Sequence, residues 1–290
     1  METSVQSLDF HINKSASGKI KIKSNDPSQK YIKLTLVSLI AITILGFVTF
    51  DYKGIEIGKA IAETLVNIKN MFLGAGLSHF TLRDALNQLA ITFALSFLTT
   101  VIGAIIALFL GLFAAKNLST PTLSNVIKSL VAFIRAVPTV LWVLIFAVTA
   151  GLGSEAAVIG MTFHTIGYLI KAYSEAFEEI NEGTIEALKA SGASWWQIVF
   201  QAVIPSSISY ILVWTFMRFE INFTNGVAMG AAAGAGGIGF ELFMASNFYF
   251  NVGEVGFITI AIVICAILLE TFSTKVKNKY RSEEHTSELQ

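Results

Sequence analysis

Residues 186–205 read EALKASGASWWQIVFQAVIP. Glu186 and Ala187 open the stretch, Gly192 stands at its centre and Pro205 closes it. It is a polar, helix-compatible island, and the chain on either side of it is strongly apolar. Of the 290 residues, 54% are hydrophobic and only 14% charged, where a soluble domain carries roughly 25% charge. The mean hydropathy is +0.66. Apolar runs close to the ~20 residues that cross a ~30 Å hydrocarbon core recur along the sequence. They are continuous rather than alternating, which excludes a transmembrane barrel. The fold class that follows is an all-α membrane protein.

The runs predict six transmembrane helices, at 34–50, 86–115, 127–150, 155–170, 206–229 and 255–272. Between the first two, mixed charges surround an apolar patch at 61–77, which predicts a short interfacial helix. The organisation is then a cytoplasmic N-terminal tail (1–33), a first transmembrane helix with an outer segment (34–85), a core domain (86–274) that contains the loop 173–205, and a cytoplasmic tail (275–290). The N-terminal tail lacks the short apolar core and small-residue cleavage site of a signal peptide. A single cysteine, Cys265, leaves no intrachain disulfide to form. Residues 282–290 resemble a translated sequencing-adapter read-through and take no part in the functional reading.

Loops rich in Lys and Arg stay in the cytoplasm. With the N-terminus inside, that side gathers the six lysines from Lys14 to Lys33, then Lys116, Lys128, Arg135, Lys171 and Lys189, then Lys275, Lys277, Lys279 and Arg281. The outer side holds only Lys53, Lys59, Lys69 and Arg83. Both termini and the island around Glu186 are therefore expected in the cytoplasm of a multi-pass cell-membrane protein.

Within the island Glu175, Glu178, Glu179 and Glu182 follow helical spacing, and Glu186 extends them into one expected acidic stripe. Ala187, Ala190, Gly192 and Ala193 offer a small-residue face that another protein surface can approach closely. Trp195 and Trp196 suit the headgroup boundary. Pro205 suits the first turn of the next membrane helix.

Arg218 and Glu220 fall inside an apolar segment, where a charge costs on the order of 3 kcal/mol and faces a bundle interior or a cavity. Two residues apart on one helix they do not meet, so each is expected to find another span or a break near Asn222, Thr224, Asn225 and Gly226. Arg218, Glu220, Asn222, Gly236 and Gly237 are the candidates for a translocation path or gate. The run from Gly234 to Gly239 lacks the Lys-Ser/Thr of a nucleotide P-loop and reads as a flexible outer-gate hairpin. Arg135 reads as snorkelling to the interface, Pro138 as a kink in the third span, and His164 as hydrogen-bonded between helices. No cluster suggests a metal, and no nucleophile–base pair suggests catalysis.

The loop with Glu186, Ala187, Gly192 and Pro205 resembles the EAA loop of ATP-binding-cassette importer permeases. Leu188 stands where a second Ala is usual, and Ile204 where Leu commonly precedes the Pro. Further stretches narrow the likeness: Arg135-Ala136-Val137-Pro138-Thr139, His164-Thr165-Ile166-Gly167-Tyr168, Arg218-Phe219-Glu220-Ile221-Asn222, and the glycine run. In this order, over roughly residues 86–272, they resemble phosphonate importer permeases. The resemblance implies a type I importer permease fold and a non-enzymatic transport subunit. It implies a second permease copy as homodimer partner, a cytosolic ATPase pair docking on a coupling helix in the loop, and an extracytoplasmic binding protein. ATP is bound by the partner, so this chain needs no cofactor and contacts no nucleic acid. A basic residue common in the family near Thr224 is missing, which bears on anion handling. Importers of another small solute such as methionine, or a stand-alone secondary transporter, are the alternative readings. A Gly192→Arg change is expected to leave insertion intact and to uncouple the ATPase.

Overall fold

The computed structural model describes residues 27–51 and 54–287, the last nine of them by backbone alone. The expected N-terminal tail up to residue 26 lies outside the described residues, and the expected foreign tail at 282–290 has no described side chain. The chain divides into two units, 1–61 and 62–290. In the first, α1 (Pro27–Thr49) is a 23-residue apolar helix whose described side chains are all exposed. Its Thr35, Thr43 and Thr49 hydroxyls donate to carbonyls one turn back, at 2.9, 2.8 and 2.8 Å, so an apolar surface meets the lipid. α2 (Ile57–Leu73) straddles the boundary and has no buried residue. It starts four residues before the expected interfacial patch.

The second unit holds the bundle. α3 (Leu82–Ala114) begins in a capping box, with the Thr81 hydroxyl accepting from the Asp84 amide and the Asp84 carboxylate accepting from the Thr81 amide. α4 (Pro121–Ala136) is capped by Thr120 with Pro121 in its first turn. α5 (Thr139–Ala150) follows at once, α6 (Ser154–Glu178) is the most enclosed helix, and α7 (Glu182–Ala190) and α8 (Trp195–Ile198) form the polar island. A π-helical turn (Val199–Val203) leads into α9 (Ile204–Ala233), then α10 (Gly237–Asn247) and α11 (Val252–Ser287).

Among the described residues, four helical runs are long and apolar enough to cross a membrane: α1, α3, the continuous run Trp195–Ala233, and Val252–Asn278 of α11. The pair α4 and α5 makes a fifth, bent by 92°. α6 is long enough at 25 residues but more polar. It packs on α3, α4, α5 and α9, and a helix enclosed by protein need not show lipid an apolar surface.

Several expectations change. The third span is two helices, not one kinked helix: Val137 is extended (φ −93°, ψ 125°) before Pro138, as the residue before a proline prefers. The Trp142 indole donates to the Ile134 carbonyl at 2.9 Å across the bend and satisfies a backbone acceptor that the break leaves open. The fifth span begins at Trp195 rather than Ser206. Ser194 and Gln197 form a capping box there, and the π turn widens the helix just ahead of Pro205, whose ring would clash with a regular preceding turn. No break occurs near Asn222, because α9 runs unbroken through it. The acidic stripe is also interrupted: α6 ends at Glu178, and Asn181 caps a new helix.

Lipid offers no hydrophobic gain for helix association, which rests instead on close packing and interhelical hydrogen bonds. Both are visible around α6. A Cβ at Gly160 would lie 2.6 Å from the Val143 backbone, and one at Gly167 would lie 2.7 Å from Ile134 Cγ2. The largest apolar cluster joins Leu112, Leu169, Tyr173 and Phe177 to Ile185, Ile198 and Val199, so the polar island is rooted in the bundle.

Candidate functional site

Two places gather the sequence-predicted residues: the α7–α8 loop, and a buried polar cluster where α5, α6 and α9 meet.

In the loop, α7 turns Ile185 into the core at 2% exposure while Glu186, Ala187, Lys189 and Ala190 face outward, exposed. The helix ends in a Schellman motif: the Ala193 amide donates to the Leu188 carbonyl and the Gly192 amide to that of Lys189, both at 3.0 Å. Gly192 sits at φ +85° with nothing within 4 Å of a hypothetical Cβ. Its glycine identity therefore answers to the left-handed backbone and not to crowding within this chain. Trp195 is a strut: its indole donates to the Leu118 carbonyl at 2.8 Å and stacks on Phe113. Trp196 is exposed and stacks on Phe200. Glu178 accepts from the Lys116 amide at 2.7 Å and from Lys128 Nζ at 2.6 Å, while Glu175 pairs with Lys171. The acidic residues expected as a free stripe thus partly serve to fix the end of α6.

In the polar cluster, Asn222 is fully buried and its amide nitrogen donates to Thr100 and Thr165 at 2.9 and 3.0 Å. Ser96 donates to the Asn222 carbonyl at 3.1 Å. One residue thereby ties α9 to α3 and α6. Arg218 is 2% exposed. Its Nε donates to Thr165 Oγ1 at 3.1 Å, its Nη2 to His164 Nδ1 at 3.0 Å, and its guanidinium carbon lies 5.0 Å from the Tyr168 ring centre. His164 also meets Thr139 Oγ1 at 3.1 Å, so it bridges helices as expected. Arginine has no acceptor to offer, so His164 Nδ1 accepts and the ring proton sits on Nε2. Glu220 is half-buried and forms no ion pair with Arg218 or Arg135 among the described residues. Arg135 is exposed, but its guanidinium carbon lies 5.8 Å from the centre of the same Tyr168 ring. Its company with Arg218 is not readable from sequence, because α4 and α9 lie 83 positions apart at these residues.

The glycine run is a packed corner, not a loose hairpin. Gly234, Gly236 and Gly237 have φ of +64°, +74° and +72°. A Cβ at Gly237 would collide with Thr92 Oγ1, and one at Gly239 with the Val227 carbonyl. Thr92 accepts the Ile238 amide at 3.0 Å.

A further residue, Glu254, gave no signal in the sequence reading. It is fully buried at the start of α11. Its carboxylate accepts from the Ser78 amide at 2.7 Å, from the His79 amide, and from His79 Nδ1 at 2.7 Å. Asn251 caps the helix in front of it, and that Asn-x-x-Glu spacing is the trace that sequence retains.

Residues 107–276 match the family model described as binding-protein-dependent transport system inner membrane component. The phosphate-import permease protein PhnE of Mycolicibacterium smegmatis is 30% identical over 197 residues, covering 68% of this chain and 37% of that protein. The phosphite transport system permease protein PtxC of Stutzerimonas stutzeri is 31% identical over 200 residues, covering 69% of this chain and 72% of that protein. This chain thus spans little more than a third of the first relative's length. Among solved structures, the MetNI methionine ABC transporter in inward-facing conformations has a chain that aligns with TM-score 0.61 at 21% identity, covering 70% of this chain and 99% of that one.

Proposed function

Because the chain belongs to the family of binding-protein-dependent transport system inner membrane components, we propose that it is the permease subunit of an ATP-driven importer of phosphonates or related phosphorus oxyanions. The observation that carries the mechanism is the exposed face of α7. Ile185 roots the helix in the core, and Glu186, Ala187, Lys189 and Ala190 project outward with no covering element among the described residues. A short helix held at both ends transmits a push as a rigid lever. The Schellman turn fixes one end, and the cap by Asn181 fixes the other.

In this reading a cytosolic ATPase pair docks on α7, binds and hydrolyses the nucleotide, and drives the α7–α8 loops of two permease copies together. Trp195 and the continuous run into α9 carry the displacement to the polar cluster. An extracytoplasmic binding protein delivers the solute near the α9–α10 corner, where Gly236 and Gly237 belong to the gate. The N- and C-termini and α7 face the cytoplasm of the cell membrane. The substrate class rests on the two relatives named for phosphate and phosphite transport.

The test is uptake into proteoliposomes holding this chain with its cognate ATPase and binding protein. Methylphosphonate or phosphite should enter only with ATP present. ATP-independent uptake by the chain alone would mark a secondary transporter and sink the proposal; uptake of methionine in place of phosphorus oxyanions would overturn the substrate class.

A further inference from the structure

The two charged side chains beside Tyr168 at the elbow between α4 and α5 have the same sign. Arg135 closes α4, and Arg218 reaches the other side of the junction from α9. Both guanidinium groups lie against Tyr168, at 5.8 and 5.0 Å from its ring centre. The 12-residue α5 starts at Thr139 with no side-chain cap, so the positive end of its dipole adds to them. Thr139 is placed there by its contact with His164, which in turn touches Arg218.

No carboxylate pairs with either arginine among the described residues: the ion pairs there are those of Glu254, Glu178 and Glu175. An aromatic face attracts a desolvated cation. It carries no net charge and cannot cancel two guanidinium groups beside one ring. Hydrogen bonds through Nε and Nη2 occupy part of the Arg218 fork. Five N–H groups are available to it, so donors remain. His164 and Tyr168, four apart on α6 and so on one face, carry neutral donors in Nε2–H and the hydroxyl. Planar forks with free donors match the geometry of a tetrahedral oxyanion.

We propose that Arg218, Arg135, His164 and Tyr168 form an oxyanion-binding site at this elbow, which takes the phosphonate or phosphate group of the transported solute on its way through the bundle. The proposal rests on the importer reading above and adds where the anion is held. The break at Pro138 then has a use, since it turns the N-terminus of α5 toward the site.

Phosphorus oxyanions also head the membrane lipids, so the test separates the two sources. The full chain is placed in phosphatidylcholine nanodiscs, with and without phosphatidylglycerol, and the 31P line width of added methylphosphonate is followed. The line should broaden equally in both. Arg135→Gln and Arg218→Gln should each weaken binding by about tenfold or more, the loss of one charge-assisted hydrogen bond. Arg218→Lys should restore only part, because an ammonium lacks the planar fork. Arg135 is exposed, so its variant decides the matter even where Arg218→Gln fails to fold. Unchanged broadening in Arg135→Gln overturns the site, as does loss of broadening when phosphatidylglycerol is present. Proteoliposome uptake distinguishes the levels: normal methylphosphonate uptake by both Gln variants removes the site and leaves the importer reading, whereas uptake of methionine alone removes the importer's substrate reading itself.

Discussion

At Gly192 the backbone decides the residue. A side chain meets open space there, but φ of +85° is a conformation that L residues adopt at a cost of about 1–2 kcal/mol. Gly192→Ala should therefore lower the thermal stability of the purified protein by about 1 kcal/mol and loosen the α7–α8 turn, although it adds only a methyl group. Gly192→Arg carries the same strain, so a loss of coupling in that variant mixes a distorted turn with a blocked surface. Ala187→Arg separates them. Ala187 is exposed on a regular helical turn, so the melting temperature should stay at the parent value while co-purification with the ATPase falls. Unimpaired co-purification would remove α7 as the docking surface. The pattern of Glu186, Ala187 and Gly192 was legible in the sequence because the motif is local. The reason for the glycine was not, since it lies in a dihedral angle. Asn222 shows the same limit: its type signalled a polar role in the membrane, but its partners Thr100 and Thr165 come from two other helices.

Among the helices, the junctions carry more information than the spans. Hydropathy located α3, α9 and α11 because a continuous apolar run leaves no other reading in a bilayer. It missed the 92° bend between α4 and α5 because the apolar pattern continues straight through it. It also gave no separate α10, whose start depends on three positive-φ glycines and on Thr92 from α3. Glu254 is the sharpest case. One buried carboxylate takes two backbone amides and the His79 ring, and so clamps the segment before α3 to the start of α11. Glu254→Gln keeps the shape but removes the charge and replaces one acceptor oxygen by a donor. With hydrogen bonds to a charged group contributing about 1.5–3 kcal/mol, the variant should lose about 2 kcal/mol of stability in a detergent melt. Hydrogen exchange at the Ser78 and His79 amides should rise with it. Unchanged protection at those two amides would show that the clamp contributes nothing.

For the molecule as a whole, everything proposed about coupling depends on which side of the membrane α7 faces. The proposed orientation, argued from the excess of Lys and Arg in alternate loops, puts α7 inside and α10 on the opposite side. The chain offers a direct check, because Cys265 is its only cysteine. In a Cys265→Ser background, Ser191→Cys puts a thiol on the exposed end of α7, and Ser246→Cys puts one on the exposed end of α10. Neither site is buried, so a membrane-impermeant maleimide can reach each from its own side. In intact right-side-out cells stripped of their outer wall, the thiol at 246 should label fully and that at 191 only after permeabilisation. In inverted vesicles the two should exchange behaviour. The opposite result would put α7 outside, where no cytosolic ATPase could reach it. The elbow site would be untouched by that reversal, since Arg135, Tyr168 and Arg218 meet within one chain whichever way it is inserted. Orientation thus tests the drive mechanism separately from anion binding, and the two can fail independently.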